Sequence, residues 1–278
     1  MAAPVKPELI PGSPAAAGQR ASEEPGARMS FFEHLVELRT RLIKSLAAIG
    51  IGMMLGLLAS KKFINFISVP MMTALRSAHL DDHMIYTSPA GYISAYINLG
   101  LYIGIVLAMP YVLYQIWLFV VPGLYKHERR AAAGFIVSSM VLFVCGIAFG
   151  YFVMLPQVLK FLVSFALDGP VRPLISFNEY FHFLLVVLLG LGLIFEMPVL
   201  IFVLTLFGIV TPKFLLKNFR YAMLIITIVA AIVTPTPDAT TMIVFMASMV
   251  ALYMVGVLVS YVVVRRKRAR AAVGGEAQ

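Results

Sequence analysis

The chain has 278 residues, 61% hydrophobic and 13% charged, with a mean hydropathy of +0.92. A soluble domain of that size has no interior large enough to hide so much apolar surface, so an integral membrane protein is expected. The formal charge of +9 comes from cations beside apolar runs, which points to membrane topology rather than nucleic acid, and the single Cys145 excludes an internal disulfide or a cysteine metal site.

Residues 1–28 are rich in Pro, Ala and Gly and contain no apolar run long enough for a signal-peptide core, so they read as a disordered tail. Ordered structure is expected from about Met29, with a membrane domain over 29–264 and a basic tail over 265–278. Ser30-Phe31-Phe32-Glu33 has the form of a capping box that opens the first helix. Run from Ser30 to Ser60, that helix would be about 45 Å long. Its start therefore projects beyond the hydrocarbon, carrying Glu37 at i,i+4 from Arg41.

Six apolar runs of spanning length follow, at 41–60, 92–118, 132–155, 181–207, 221–235 and 240–264. An amphipathic stretch, 61–90, separates the first two, with a kink expected at Pro70. Pro110 and Pro198 should kink the second and fourth spans, because each removes an intrahelical donor. Trp117, Phe119 and Tyr125 suit an aromatic belt at the membrane boundary. The third and fourth spans are linked by 157–178. The fifth span, at about 22 Å, is shorter than the ~30 Å hydrocarbon core. Val233-Thr234-Pro235-Thr236-Pro237-Asp238 reads as a tight turn in which Asp238 caps the sixth helix. Gly52–Gly56, Gly100–Gly104 and Gly146–Gly150 have GxxxG spacing, which favours close helix packing.

Lys and Arg set the orientation. Seventeen of the 22 fall in the N-terminal region, the second-to-third and fourth-to-fifth loops and the C-terminal tail. Those segments should be cytoplasmic, which puts both termini inside.

Three carboxylates stand out. Glu196 lies within an otherwise apolar span, where a charge is costly and usually marks function. Glu37 and Glu128 lie on the cationic cytoplasmic face, each beside apolar helix. Both have a plain reading, as a helix-surface ion pair and as a solvated loop charge. Together they also suit a peptide with basic residues followed by an apolar segment, and arginine would bind them better than lysine. No H-E-x-x-H, G-x-S-x-G or Walker A sequence is present, so no enzyme is expected. His79 and His83 flank Asp81-Asp82, too little to suggest a metal site.

Several motifs, in order across about 29–264, resemble the TatC family, the multi-spanning receptors of the twin-arginine protein translocase. They are Phe32-Glu33-His34-Leu35-Val36-Glu37-Leu38-Arg39, Ser68-Val69-Pro70, Pro110-Tyr111-Val112-Leu113-Tyr114-Gln115-Ile116-Trp117-Leu118-Phe119, Pro122-Gly123-Leu124-Tyr125-Lys126-His127-Glu128-Arg129-Arg130, Phe195-Glu196-Met197-Pro198 and Thr234-Pro235-Thr236-Pro237-Asp238. The resemblance implies an all-α, concave bundle of six spans in the inner membrane, with no cofactor and no ATP chemistry of its own. It implies that Glu37 and Glu128 recognise twin-arginine signal peptides, with Arg39, Phe119, Pro70 and Asp238 at other sensitive positions. It also implies that Glu196 faces the interior where TatA- and TatB-like single-span partners dock, that the chain forms a homo-oligomer within a receptor complex in lipid, and that export of folded proteins draws on the proton gradient. Many relatives carry glutamine where this chain has Met242, so Thr234 or Thr241 is expected to supply that polar contact. The rival reading is a proton-coupled small-molecule transporter with Glu196 as carrier. It lacks a visible inverted repeat and has only one buried carboxylate. An intramembrane protease lacks a nucleophile–base pair.

Overall fold

The computed structural model describes residues 31–81, 84–86, 88–120, 129–167, 174–234 and 239–275. All the named elements are helical: α1 Phe31–Ser77, α2 Gly91–Val120, α3 Arg129–Phe149, a π turn Gly150–Met154, α4 Leu155–Leu167, α5 Phe177–Ile194, α6 Met197–Leu206, α7 Pro212–Lys217, α8 Phe219–Val233 and α9 Ala239–Gly275. Among the described residues, five stretches are long and apolar enough to cross a bilayer, and α8 is a shorter apolar helix of 15 residues.

The chain divides into two compact units, Met1–Thr40 and Arg41–Gln278. In the first, residues 31–40 are helical, with Glu33 in the first turn, and the Thr40 hydroxyl donates to the Val36 carbonyl at 2.9 Å. Ser30, the proposed cap, lies outside the described residues, as do Glu128 and Asp238.

In the second unit, the first span does not stop near Ser60. The helix runs on through the stretch expected to be a separate amphipathic segment, with Pro70 inside it. Its end has a Schellman geometry. His79 takes a left-handed backbone (φ 56), its N–H reaches the Arg76 carbonyl at 3.1 Å, and the Leu80 N–H reaches the Leu75 carbonyl at 3.1 Å. Leu80 and Leu75 belong to the same apolar cluster, the hydrophobic contact that usually accompanies this motif.

Between lipid-facing helices there is little hydrophobic driving force, so close backbone approach and buried polar contacts carry the packing. Gly52 and Gly56 of α1 face Gly100 and Gly104 of α2. A Cβ built on Gly52 would lie 2.5 Å from the Gly104 carbonyl oxygen, and one on Gly56 would overlap the Gly100 carbonyl. Gly146 lies against Gly192 and Leu191 in the same way. All three GxxxG spacings therefore mark helix contacts. Large side chains such as Leu58 and Ile232 point outward and are 77% exposed, as expected of a surface solvated by acyl chains.

The proline in α1 is answered from outside the helix. Pro70 has no N–H to give the Phe66 carbonyl four residues back. The Tyr151 hydroxyl donates to that carbonyl, and the Tyr180 hydroxyl donates to the neighbouring Ile67 carbonyl at 2.7 Å. Tyr151 lies in the π turn, where the local winding differs from that of an α-helix.

The expected link at 157–178 is helical as far as Leu167, continuing the third span through the π turn. Its far end meets the α1–α2 connection: Ile85 and Ser176 form a parallel bridge, with Ile85 N–H to the Ile175 carbonyl at 3.0 Å and Phe177 N–H to the Ile85 carbonyl at 3.1 Å. Two connections distant in sequence are thus joined at one end of the bundle. At the other end, Gly208 (φ 75) closes α6, with its N–H on the Thr205 carbonyl and the Ile209 N–H on the Leu204 carbonyl. Thr211 then caps α7, accepting from the Phe214 N–H at 3.2 Å, with Pro212 as the first helical residue. The sixth span, α9, continues as helix beyond Val264 to Gly275.

Candidate functional site

Glu196 sits at a break in the fourth span. Pro198 cannot donate to the Ile194 carbonyl, and its ring crowds that carbonyl, so α5 ends at Ile194 and the chain turns once before α6. The Glu196 N–H reaches back three residues to the Leu193 carbonyl at 3.1 Å, while its own carbonyl accepts from the Leu200 N–H at 2.9 Å. Glu196 is the N-cap residue of α6, and Pro198 falls in the first turn, where a missing donor costs little.

The Glu196 side chain is turned into the protein and is only 8% exposed. Its Oε2 accepts from the Ser139 hydroxyl at 2.6 Å, and Ser139 Oγ accepts from the Trp117 indole N–H at 2.7 Å. The other carboxyl oxygen, Oε1, is buried without a hydrogen-bond partner among the described residues. Trp117 belongs to α2, Ser139 to α3, and Glu196 leads into α6, so one short chain of polar atoms ties three elements together. Aromatic packing fixes it. Trp117 meets Phe135 edge-on with centroids 4.5 Å apart, and Phe135 stacks on Phe202 of α6 at 5.2 Å. Phe135 and Ser139 are one helical turn apart and share a face of α3. Trp117 is therefore 7% exposed and committed to the fold.

The remaining sequence-derived candidates are spread out. Thr234 and Thr241 are both buried, and the Thr234 hydroxyl donates to the Ala230 carbonyl of its own helix. They are not beside Glu196. The α6–α9 register is set by the hydroxyls of Thr205 and Ser260, 2.8 Å apart, and by Gly256 packed on Ile201. In that register Thr241 lies roughly ten residues, about 15 Å along the span, from the level of Glu196. Pro70 lies in the tyrosine-supported part of α1. Phe119 is in the last turn of α2, on the same face as Gln115, which is 3% exposed and accepts from Arg41 Nη1 at 3.2 Å. Glu37 and Arg39 belong to the first unit. They are two residues apart on one helix and project about 200° apart around it.

Sequence reasoning missed Ser139, Gln115, Thr205 and Ser260. A lone hydroxyl or amide in an apolar run gives no periodic signal of a partner elsewhere in the chain.

The family model for the Sec-independent protein translocase protein TatC matches residues 33–247. The chain belongs to the TatC family. It is 39% identical to a TatC of Koribacter versatilis over 93% of this chain and 95% of that protein, and 35% identical to a TatC of Deinococcus radiodurans over 85% and 87%. A crystal structure of a twin-arginine translocase receptor TatC superposes with a TM-score of 0.69 at 32% identity, covering 83% of this chain and 99% of the other. This TatC is accordingly an all-α, multi-pass membrane protein, a receptor subunit of twin-arginine translocation and not an enzyme.

Proposed function

We propose that this TatC receives the twin-arginine signal peptide of a folded cargo at its cytoplasmic face and recruits single-span TatA- and TatB-like helices within the bilayer at Glu196. Glu37 and Glu128 each supply a carboxylate for the arginine pair, and Arg39 and Phe119 contribute to peptide binding. Pro70 and Asp238 act on the periplasmic side, Thr234 and Thr241 offer polar contacts to partners, and export is driven by the proton gradient. Both termini are cytoplasmic, which agrees with the distribution of Lys and Arg and with an even number of crossings. The receptor acts as a homo-oligomer in the cell membrane.

The observation that carries the partner-docking part is Glu196 itself. It is a buried carboxylate at a break in a span, with one oxygen satisfied within the fold and the other without a hydrogen-bond partner among the described residues. Leaving such an atom unsatisfied in apolar surroundings is costly, and a polar group on an incoming helix would offset that cost.

The experiment has two parts. Purified TatC should retain a twin-arginine peptide and release it when both arginines become lysine. In membranes, Glu196→Ala should preserve peptide retention and lower cross-linking to the single-span partners. Equal retention of both peptides rejects the arginine site, and normal cross-linking rejects the docking role of Glu196.

A further inference from the structure

We infer that Ser139 and Trp117 are positioning residues for Glu196, fixing Oε2 within the fold so that Oε1 is the oxygen left to bond an incoming partner.

An indole N–H only donates, so at 2.7 Å from Trp117 Nε1 the Ser139 oxygen must accept. Ser139 has one proton left to give. It directs that proton to Glu196 Oε2 at 2.6 Å, a length typical of a hydroxyl on a carboxylate oxygen. Oε2 is thereby held as an acceptor, and Oε1 is left for a further donor. That is the buried oxygen with no partner among the described residues. With a single order of donors through all three residues, the carboxyl plane cannot rotate to exchange its two oxygens without breaking the Ser139 bond.

Packing holds the chain of donors in place. Ser139 is fully buried, and the Trp117 ring is held edge-on against Phe135, which is stacked in turn on Phe202. Ser139 also forgoes the bond to its own helix that serines in this chain commonly make. Ser138 donates to the Gly134 carbonyl and Ser68 to the Ile64 carbonyl, each four residues back. The Ser139 hydroxyl is aimed across to α6 instead.

This inference rests on the reading of Glu196 as the docking group, and its test separates the two. Trp117 is the only tryptophan in the chain, so its spectrum reports the arrangement without a label. In purified TatC, the ultraviolet resonance Raman band sensitive to indole N–H hydrogen bonding should move in Ser139→Ala and stay in place in Ser139→Thr. In membranes containing the single-span partners, Ser139→Ala should lower cross-linking beside Glu196 by about tenfold, the size expected for losing one bond to a charged group. Ser139→Thr should restore it, and twin-arginine peptide retention should be unchanged throughout. An unmoved Raman band in Ser139→Ala overturns the inference. So does normal cross-linking in Ser139→Ala when Glu196→Ala loses it, and that result leaves the docking reading standing. Normal cross-linking in Glu196→Ala overturns both. If Ser139→Ala loses peptide retention as well, it has misfolded and Trp117→Phe decides. That change keeps a ring and removes the donor, so reduced cross-linking supports the positioning role and unchanged cross-linking ends it.

Discussion

The Tyr151 hydroxyl donates to the carbonyl of Phe66, the acceptor that Pro70 leaves without a donor in α1. A proline in the interior of a helix normally exposes or strands a carbonyl. Here a side chain from the π turn supplies the missing bond, and Tyr180 supports the next carbonyl along. The proline in α1 is thus accommodated by bonds from other helices.

Tyr151→Phe should therefore destabilise the protein by about 1–2 kcal/mol, the cost of leaving a buried acceptor unsatisfied. In a Pro70→Ala background, residue 70 regains its N–H and the same change should cost clearly less. Thermal unfolding of the four proteins of this cycle in detergent gives the coupling directly. Additive effects would show that Tyr151 does not compensate for the proline.

Gly56→Ala should lower the melting temperature sharply, because the added Cβ overlaps the backbone of α2 at Gly100. Gly50→Ala, six residues earlier on the same helix, meets nothing within 4 Å. It should be neutral or stabilising by about 0.5–1 kcal/mol through helix propensity. Similar melting temperatures for the two variants would contradict the close approach of α1 and α2.

Glu37→Ala and Glu128→Ala should each weaken binding of a twin-arginine peptide about ten- to a hundredfold, matching one charge-assisted bond apiece. Membrane insertion should be unaffected. Fluorescence anisotropy of a labelled peptide measures the loss. Wild-type affinity in the double variant would rule out the acidic pair as the arginine site.

Lengthening α8 by four leucines adds about 6 Å, bringing its 15 residues close to the hydrocarbon thickness. If the short helix thins the bilayer during transport, export of a folded reporter should fall while peptide binding persists. Unimpaired export would show that the short span serves packing alone.

Sequence and tertiary structure contributed different parts of this picture. The six apolar runs, their GxxxG contacts, the short fifth span and the exceptional character of Glu196 were all legible, because lipid demands continuous apolar helix and makes any buried charge conspicuous. The ends of the helices were not. The apolar runs placed the end of the first span at 60 and that of the third at 155. Yet both helices continue, because packing and hydrogen bonds from other segments outweigh local propensity. The partners of the polar groups were equally hidden. Ser139 and Glu196 are 57 residues apart, Tyr151 and Phe66 are 85 apart, and each bond exists only because folded helices bring one donor to one acceptor. Periodicity along a chain encodes which face is apolar. It holds no record of which buried oxygen on that face will meet a hydroxyl from another helix, and only the packed bundle decides that.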